Sequence, residues 1–429
     1  MNDYVYMLGV CVTVLVIVIF TLYSRRGKKS CCSHHHSDHS EESHGNVARC
    51  YDWCYSSIDE FGDGLAAVCN GDKFGYIDAK GDIVIPIIYQ DARGFDNGYA
   101  VVTLNDNQFF INKKGERVSE IYRDVYEFVG DYAMVSTGDA IGYINREFKT
   151  IIEPKFKEGF DFSEGVSMVS DGTKYFLIDT EGNRVEDVEY SEGRQHIEGF
   201  AAVSIGDKWS YLDREGNLIC DFLFDDADDF FRGHAVVCID DKFGIIDSRG
   251  NIVVNIKYDD LGELSFGLIP ARLGNHFGVI DTLGNTVVDF KYSDIRDFHE
   301  GFAAFERGNK LGFLNLKGEE VIPADYDEVG DFREGLTPVC IGHLWGYIDS
   351  QGHRICDIKY SDAFLFSEGR GVVELNGKFG YIDELGHERS SISFDQCTEF
   401  YNGYATVVGS GYVGIMNHRG DWLIPKCNK

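Results

Sequence analysis

Proline is scarce in this chain, with six residues among 429, while glycine numbers 49 and aromatics make up 14%. Low proline with abundant glycine and aromatics excludes a disordered, proline-rich tether as the main architecture. It suits short strands joined by tight turns. Basic residues are also in deficit, at 40 Lys and Arg against 71 Asp and Glu, giving a formal charge of −31. Such a surface repels a phosphate backbone, which argues against nucleic-acid binding. It leaves room for a basic partner, although solubility of a long β-rich chain is the simpler account of the charge. A disulfide framework is missing too. The cysteines Cys69, Cys220, Cys238, Cys340, Cys356 and Cys397 read as scattered single thiols of a reducing compartment. The chain also contains no P-loop, no G-x-G-x-x-G entering a helix, no H-E-x-x-H and no G-x-S-x-G, so the common nucleotide, zinc-protease and serine-hydrolase chemistries have no foothold.

What the chain has is a repeat. Aligned on the "FGYID" of residues 74–78, a unit of 34 residues occurs eleven times, with the aligned glycine position at 75, 109, 142, 176, 210, 244, 278, 312, 346, 380 and 414. The single step of 33 is a one-residue deletion between Gly115 and Tyr122. Such arrays are quasi-one-dimensional, and their functions reside in extended surfaces more often than in one reacting centre.

The first unit predicts a three-stranded meander over Leu65–Cys69, Phe74–Asp78 and Ile83–Ile87, with Asn70–Gly71 as a tight turn. Three places after the aligned position stands Asp or Asn in every copy, from Asp78 to Asn417, and three further on a Gly in all but the third, which has Phe148. Asx first and Gly fourth is turn chemistry, and a role repeated in every unit is structural. Between them, two places after the aligned position, an aliphatic residue recurs as Ile77, Ile111, Ile144, Ile178, Leu212, Ile246, Ile280, Leu314, Ile348, Ile382 and Met416, predicting a continuous core rail. Fourteen places before the aligned position nine copies carry an aromatic, while His196 and Leu264 depart. Glu164, Glu300, Glu334 and Glu368 precede glycines and read as surface turn residues, and the scattered His196, His234, His276 and His343 as packed or solvated side chains.

The pattern F-x-E-G-x-A-x-V followed by K-W/F-G-Y-I-D-x-x-G, with Lys208-Trp209 and Leu344-Trp345-Gly346-Tyr347-Ile348-Asp349 as good copies, resembles the WG (KWG) β-repeat family over everything after the linker. Phe109, Phe176 and Ser210 depart at the glycine of the motif. The resemblance implies a β-rich repeat with a binding role and no assigned reaction.

Ahead of the array, Tyr4 to Tyr23 is twenty residues without a charge, long enough for one membrane-spanning helix, with Tyr at both ends. Arg25, Arg26, Lys28 and Lys29 follow it, so the positive-inside rule places the N-terminus outside and the array in the cytoplasm. A cleaved signal peptide would carry the opposite charge order. The Ser-, His- and Cys-rich linker holds His34, His35, His36, His39 and His44 beside Cys31 and Cys32, without the ligand spacing of a defined metal site. The cysteine pair lies where palmitoylation is found.

The organisation is therefore a short N-terminus at 1–3, a transmembrane helix at 4–23, a flexible linker at 24–57 and an all-β array at 58–429, expected to form an elongated, solenoid-like stack. The runner-up is a closed ring or propeller. The expected function is a membrane-anchored scaffold that binds a protein or peptide, with no catalytic, cofactor-binding or metal residues and no cofactor. The alternative is an enzyme or ligand sensor with one site in repeats two to five. The purified protein should give a far-UV circular dichroism spectrum dominated by β-structure, with helix well below about a third, the globular average.

Overall fold

The computed structural model describes residues 55–409 and 412–421. The expected membrane helix and all but the last residues of the linker lie outside them. The described residues form eleven antiparallel sheets, one per unit, and contain no helix.

Unit eight shows the complete plan, as Asp294–His299, Phe302–Arg307, Lys310–Asn315 and Glu320–Tyr326 pair in that order. The second and third strands are closed by Gly308 and Asn309, with φ of 64° and 61°. A two-residue turn with both φ positive matches the right-handed twist of its strands. Each unit thus has the two predicted hairpin strands, the predicted last strand in only five units, and a first strand the sequence did not announce, reduced in most units to a pair of residues such as Asp91–Ala92. The hairpin of unit one also differs. Asn70 pairs with Lys73, so the turn is Gly71–Asp72, one place later than expected.

The fourth strand divides the units into two kinds. It is present in units one, three, six, seven and eight. There its third residue is Ile85, Ile152, Val254, Val288 or Ile322, and all five are buried. Its backbone crosses the aligned glycine so closely that a Cβ on Gly312 would lie 2.5 Å from the Ile322 carbonyl oxygen. Gly75, Gly142, Gly244 and Gly278 are held in the same way. Units two, four, five, nine and ten have no fourth ladder strand. Their residue at the same place is polar or Cys and accepts the amide that follows the aligned position. Ser119 Oγ takes the Phe110 N–H at 2.9 Å, and Ser390 Oγ takes that of Tyr381 at 3.0 Å. Glu186 Oε1 faces the Leu177 amide at 3.5 Å, and the Cys220 and Cys356 thiols take those of Tyr211 and Tyr347. Phe109, Phe176 and Ser210 all fall in this second class, where no ladder strand crosses the aligned position. So does the one-residue deletion, which has no ladder face to invert.

The cysteines are consequently not scattered. Cys220 and Cys356 share the place just described, and Cys69, Cys238 and Cys340 share another, six residues before the aligned position. The six array cysteines among the described residues are free thiols.

Packing between units follows from the two-residue period of a strand. The residue one place after the aligned position faces the next unit, and the rail residue faces the previous one. Tyr347 clusters with Tyr360, Phe366 and Ile382 of the region ahead, while Ile348 clusters with Phe313, Ile322 and Phe332 behind. The rail is confirmed, since Ile77 through Ile382 are 0% exposed and Met416 4%. Where the forward residue is Tyr, its hydroxyl donates to the carbonyl 17 residues on: Tyr76 to Arg93, Tyr143 to Phe160, Tyr211 to Asp228, Tyr347 to Phe364 and Tyr381 to Thr398, at 2.6–2.8 Å. Burial pushes the Tyr143 hydroxyl up to about 12.

A second tie joins units at the loop before each hairpin. The Glu residues there adopt φ near 50°, and besides turning the chain they bond the equivalent loop one unit on. Glu300 accepts the Glu334 and Gly335 amides, both at 2.8 Å, and Glu334 accepts those of Glu368 and Gly369 at 2.6 and 2.8 Å. Glu198 does the same for Arg232 and Gly233, and Glu368 bonds Gly403. These are charge-assisted bonds between neighbours, not only local turns.

The ends of the array meet, which overturns the expected elongated, open stack. Ile415, the forward residue of unit eleven, packs with Ile58, Phe61 and the rail residue Ile77 of unit one. Unit one therefore stands where a twelfth unit would. Asn402, at the loop position of the Glu ladder, donates to the Phe61 carbonyl at 3.5 Å, and Thr406 Oγ1 to that of Ile58 at 3.4 Å. The Phe61 and Tyr404 rings lie 5.2 Å apart.

The Asx turns are formed in every unit. Asp349 Oδ1 accepts the Gln351 and His353 amides at 2.9 and 2.8 Å, and Asn315 Oδ1 accepts Lys317 and Glu319 identically. Ile348→Asp should therefore destabilise by about 3 kcal/mol or more, because it buries a carboxylate between two sheets. Asp349→Asn keeps the accepting oxygen and should be nearly neutral. Chemical denaturation of the two variants compares them, and equal effects would contradict the assignment.

Candidate functional site

The loop just before each hairpin lies where the units converge. Arg333 of unit nine bonds Glu399 of unit eleven at 3.0 Å, a span of 66 residues that skips a whole unit. Fifteen places before the aligned position, this convergent side carries Glu127, Asp161, Asp229, Glu263, Asp297, Asp331 and Glu399. Few cations answer them. Arg194 bonds Asp226 and the Ala227 carbonyl and reaches Asp228 only at 3.9 Å, and His299 faces Asp331 at 3.6 Å. The Asp228 and Asp229 carboxylates are exposed to water at the mouth of a concave, protein-lined face. Desolvation there raises both above the ordinary carboxylate value, with Arg194 opposing it. Burial raises Asp161 and Asp297 likewise.

Between units six and seven this side opens into a cavity of about 340 Å³. Its walls are largely apolar, including Phe231, Val236, Ile245, Leu261, Leu264 and Ile269, and Asp228, Asp229 and Glu263 also line it. The cavity has a structural cause. In five units the forward residue is a buried Tyr whose hydroxyl reaches a carbonyl 17 residues on, and the next unit's aromatic packs on its ring, as in Tyr211–Phe230 and Tyr347–Phe366. Here the forward residue is Ile245, the residue 17 places on is Gly262, and the aromatic is replaced by Leu264. Two rings are missing from one place. Asp297 closes against it, its Oδ1 accepting the Glu263 amide at 2.7 Å and lying where a Cβ on Gly262 would fall.

The same two units break the Glu ladder. Its position is occupied by Arg232 and then Phe266, neither of which can accept an amide. Phe266 holds φ of 54° while 54% exposed, and Phe231 is 50% exposed. A bulky residue in the left-handed region costs on the order of 1 kcal/mol or more, and burial does not offset it here.

Of the histidines set aside in the sequence, His234 is tied to the Arg232 carbonyl through Nδ1 at 2.9 Å and lines the cavity, whereas His276 and His343 are exposed. His196 is wholly buried in the aromatic place of unit five. Neither of its ring nitrogens makes a well-formed hydrogen bond, and only the Gly199 backbone approaches. Burial lowers its proton affinity, opposed by the charges of Glu164 and Asp213 and assisted by Arg214. Among the described residues no group of His, Cys, Asp and Glu has the arrangement of a metal site, and the His- and Cys-rich linker lies outside them. The cavity itself lies outside repeats two to five, where the sequence placed an alternative site. The departure of Leu264 was visible in the sequence, but its coincidence with Ile245 in the preceding unit was not connected to it.

A family model described as the WG containing repeat matches residues 74–107, 141–175, 209–243, 243–275, 277–310, 312–343, 345–379 and 379–408. No curated protein sequence matches. Among solved structures, similarity is found to a eukaryotic initiation factor, at 12% identity and a TM-score of 0.38, covering 67% of this chain and 93% of the other. PorZ, a bacterial surface component of the type-IX secretion system of Porphyromonas gingivalis, is 10% identical with a TM-score of 0.25, covering 86% and 65%. The tricorn protease is 12% identical with a TM-score of 0.25, covering 82% and 46%.

His196→Phe should stabilise the array by about 1–2 kcal/mol at neutral pH, because it removes two unsatisfied nitrogens from an aromatic place. The pH dependence has a definite sign. With its folded value lowered from 6.5, the unfolded chain binds the proton more readily, so this residue costs stability as pH falls below that value. Thermal melts from pH 7.5 to 5 should show the variant's advantage widening on acidification, and a constant gap would contradict the burial of a neutral imidazole.

Proposed function

The chain belongs to the WG containing repeat family, and from that premise we propose that it is a membrane-anchored β-repeat scaffold that binds a protein or peptide and catalyses no reaction. The observation that carries this reading is the convergent side of the array. There equivalent loop positions from successive units stand next to one another and present carboxylates, with the Arg333–Glu399 pair reaching across a full unit. Repetition of one position along a face gives a long, patterned surface, which suits a macromolecular partner better than a small substrate. Tyr76, Tyr211, Tyr347 and Tyr381, whose hydroxyls burial raises far above the ordinary value, have structural work to do, since each bonds a backbone carbonyl. The cavity lies between units six and seven, so it lends nothing to a sensor or enzyme centred on repeats two to five.

In this reading residues 4–23 span the membrane once, the N-terminus lies outside and the array works in the cytoplasm, where it meets a protein or peptide and no nucleic acid. Support comes from the basic residues after the span and from the free thiols of the array. Leu283 is 70% exposed and makes a suitable reporter. In intact cells, Leu283→Cys should resist an impermeant maleimide and be labelled only after permeabilisation. Full-length protein carrying a photo-crosslinker beside Glu399 should form saturable adducts with one or a few proteins. Labelling without permeabilisation reverses the orientation, and the absence of any protein adduct removes the scaffold reading.

A further inference from the structure

We propose that the cavity between units six and seven is a receptor for a basic side chain, Arg or Lys, inserted from an extended segment of the partner protein. This deepens the scaffold reading and rests on it.

The shape and the charge of the cavity ask for the same occupant. Its walls are apolar because Ile245 and Leu264 stand where other units place a Tyr and a Phe, and a slot left by absent rings accepts a narrow apolar stem. The charged groups that line it are Asp228, Asp229 and Glu263, and no Lys or Arg lines it. Arg194, the cation nearest Asp228, is already held by Asp226 and the Ala227 carbonyl. Lys and Arg have this composition in reverse, an apolar stem ending in a cation. A Leu or Phe would fill the slot but leave partly desolvated carboxylates without a counter-charge, and an acidic side chain would meet three like charges. The half-exposed Phe231 lines the mouth, where its ring already holds the Arg232 guanidinium 5.0 Å from its centroid and so shows that an aromatic face here accepts a cation. Phe266, exposed and in a left-handed conformation that the ladder does not require, gives a flanking apolar residue of the same segment a surface to rest on.

The test uses the full chain in detergent micelles and three labelled peptides: one alternating Leu with Arg, one with Gln for each Arg, and one with Ser for each Leu. Fluorescence anisotropy should show the Leu–Arg peptide binding and weakening as salt rises, with both counterparts at least about tenfold weaker. Ile245→Tyr with Leu264→Phe restores the two missing rings. It should raise the melting temperature while weakening the Leu–Arg peptide by about tenfold or more, so loss of binding cannot be loss of fold. Asp229→Asn with Glu263→Gln should weaken the peptide and flatten its salt dependence, while Asp331→Asn, on the same side but away from the cavity, should leave it unchanged. The proposal is overturned if the filled variant binds like the wild type, if the Gln peptide binds as well as the Arg peptide, if Asp331→Asn weakens binding equally, or if the wild type binds none of the three. In each of these outcomes the scaffold reading still stands on the photo-crosslinked adducts, and only their absence removes it.

Discussion

The structure depends on the contact between the forward residue of one sheet and the rail residue of the next. A sheet of three or four short strands is too small to bury its own apolar faces. Strand pleating sends adjacent residues to opposite faces, so one strand supplies both contacts: Tyr347 ahead, Ile348 behind. Every other regularity serves that stacking. The Asx turn fixes the end of the strand that carries the pair. The Glu ladder ties the loops of successive sheets, and the tyrosine hydroxyls tie a sheet to the carbonyl of the segment leading into the next. The energetic unit is therefore the junction between two repeats, not the repeat.

Much of this was legible because period and identity coincide. A column that is aliphatic in every copy, bounded by Asx and Gly at fixed offsets, leaves little freedom for the strand that contains it, and Ile77 through Met416 are buried as expected. The first strand escaped notice because two residues such as Asp91–Ala92 carry no period. The two kinds of fourth segment were readable in one column, where Ile or Val in five units gives way to Ser, Glu or Cys in five others. The same column aligns Cys220 with Cys356, while Cys69, Cys238 and Cys340 align in another. Closure stood only as the runner-up in the sequence, since it depends on a small rotation per unit that no residue encodes by itself.

The convergent side was the hardest part to foresee. Its acidic residues look, one unit at a time, like ordinary surface carboxylates, and only the assembled array brings Asp228, Asp229 and Glu263 to one cavity. The cavity is a property of two units together. Ile245 is unremarkable in a column that also holds Leu177 and Val279, and Leu264 is a modest departure from Phe. Their coincidence across one junction, with Gly262 beside them, removes two rings from the same place. A repeat protein thus gains a specific site by failing to repeat twice in succession.

The meeting of unit eleven with unit one has a consequence for how such a chain evolves. An open stack tolerates duplication or loss of an internal copy, because its end units merely move apart or together. Here each copy has a neighbour on both sides, and Ile415 must land on Ile77. Adding or deleting one copy would change the angle every remaining junction must subtend. Geometry thus constrains the number of copies as a whole, beyond what it asks of the sequence of any one copy.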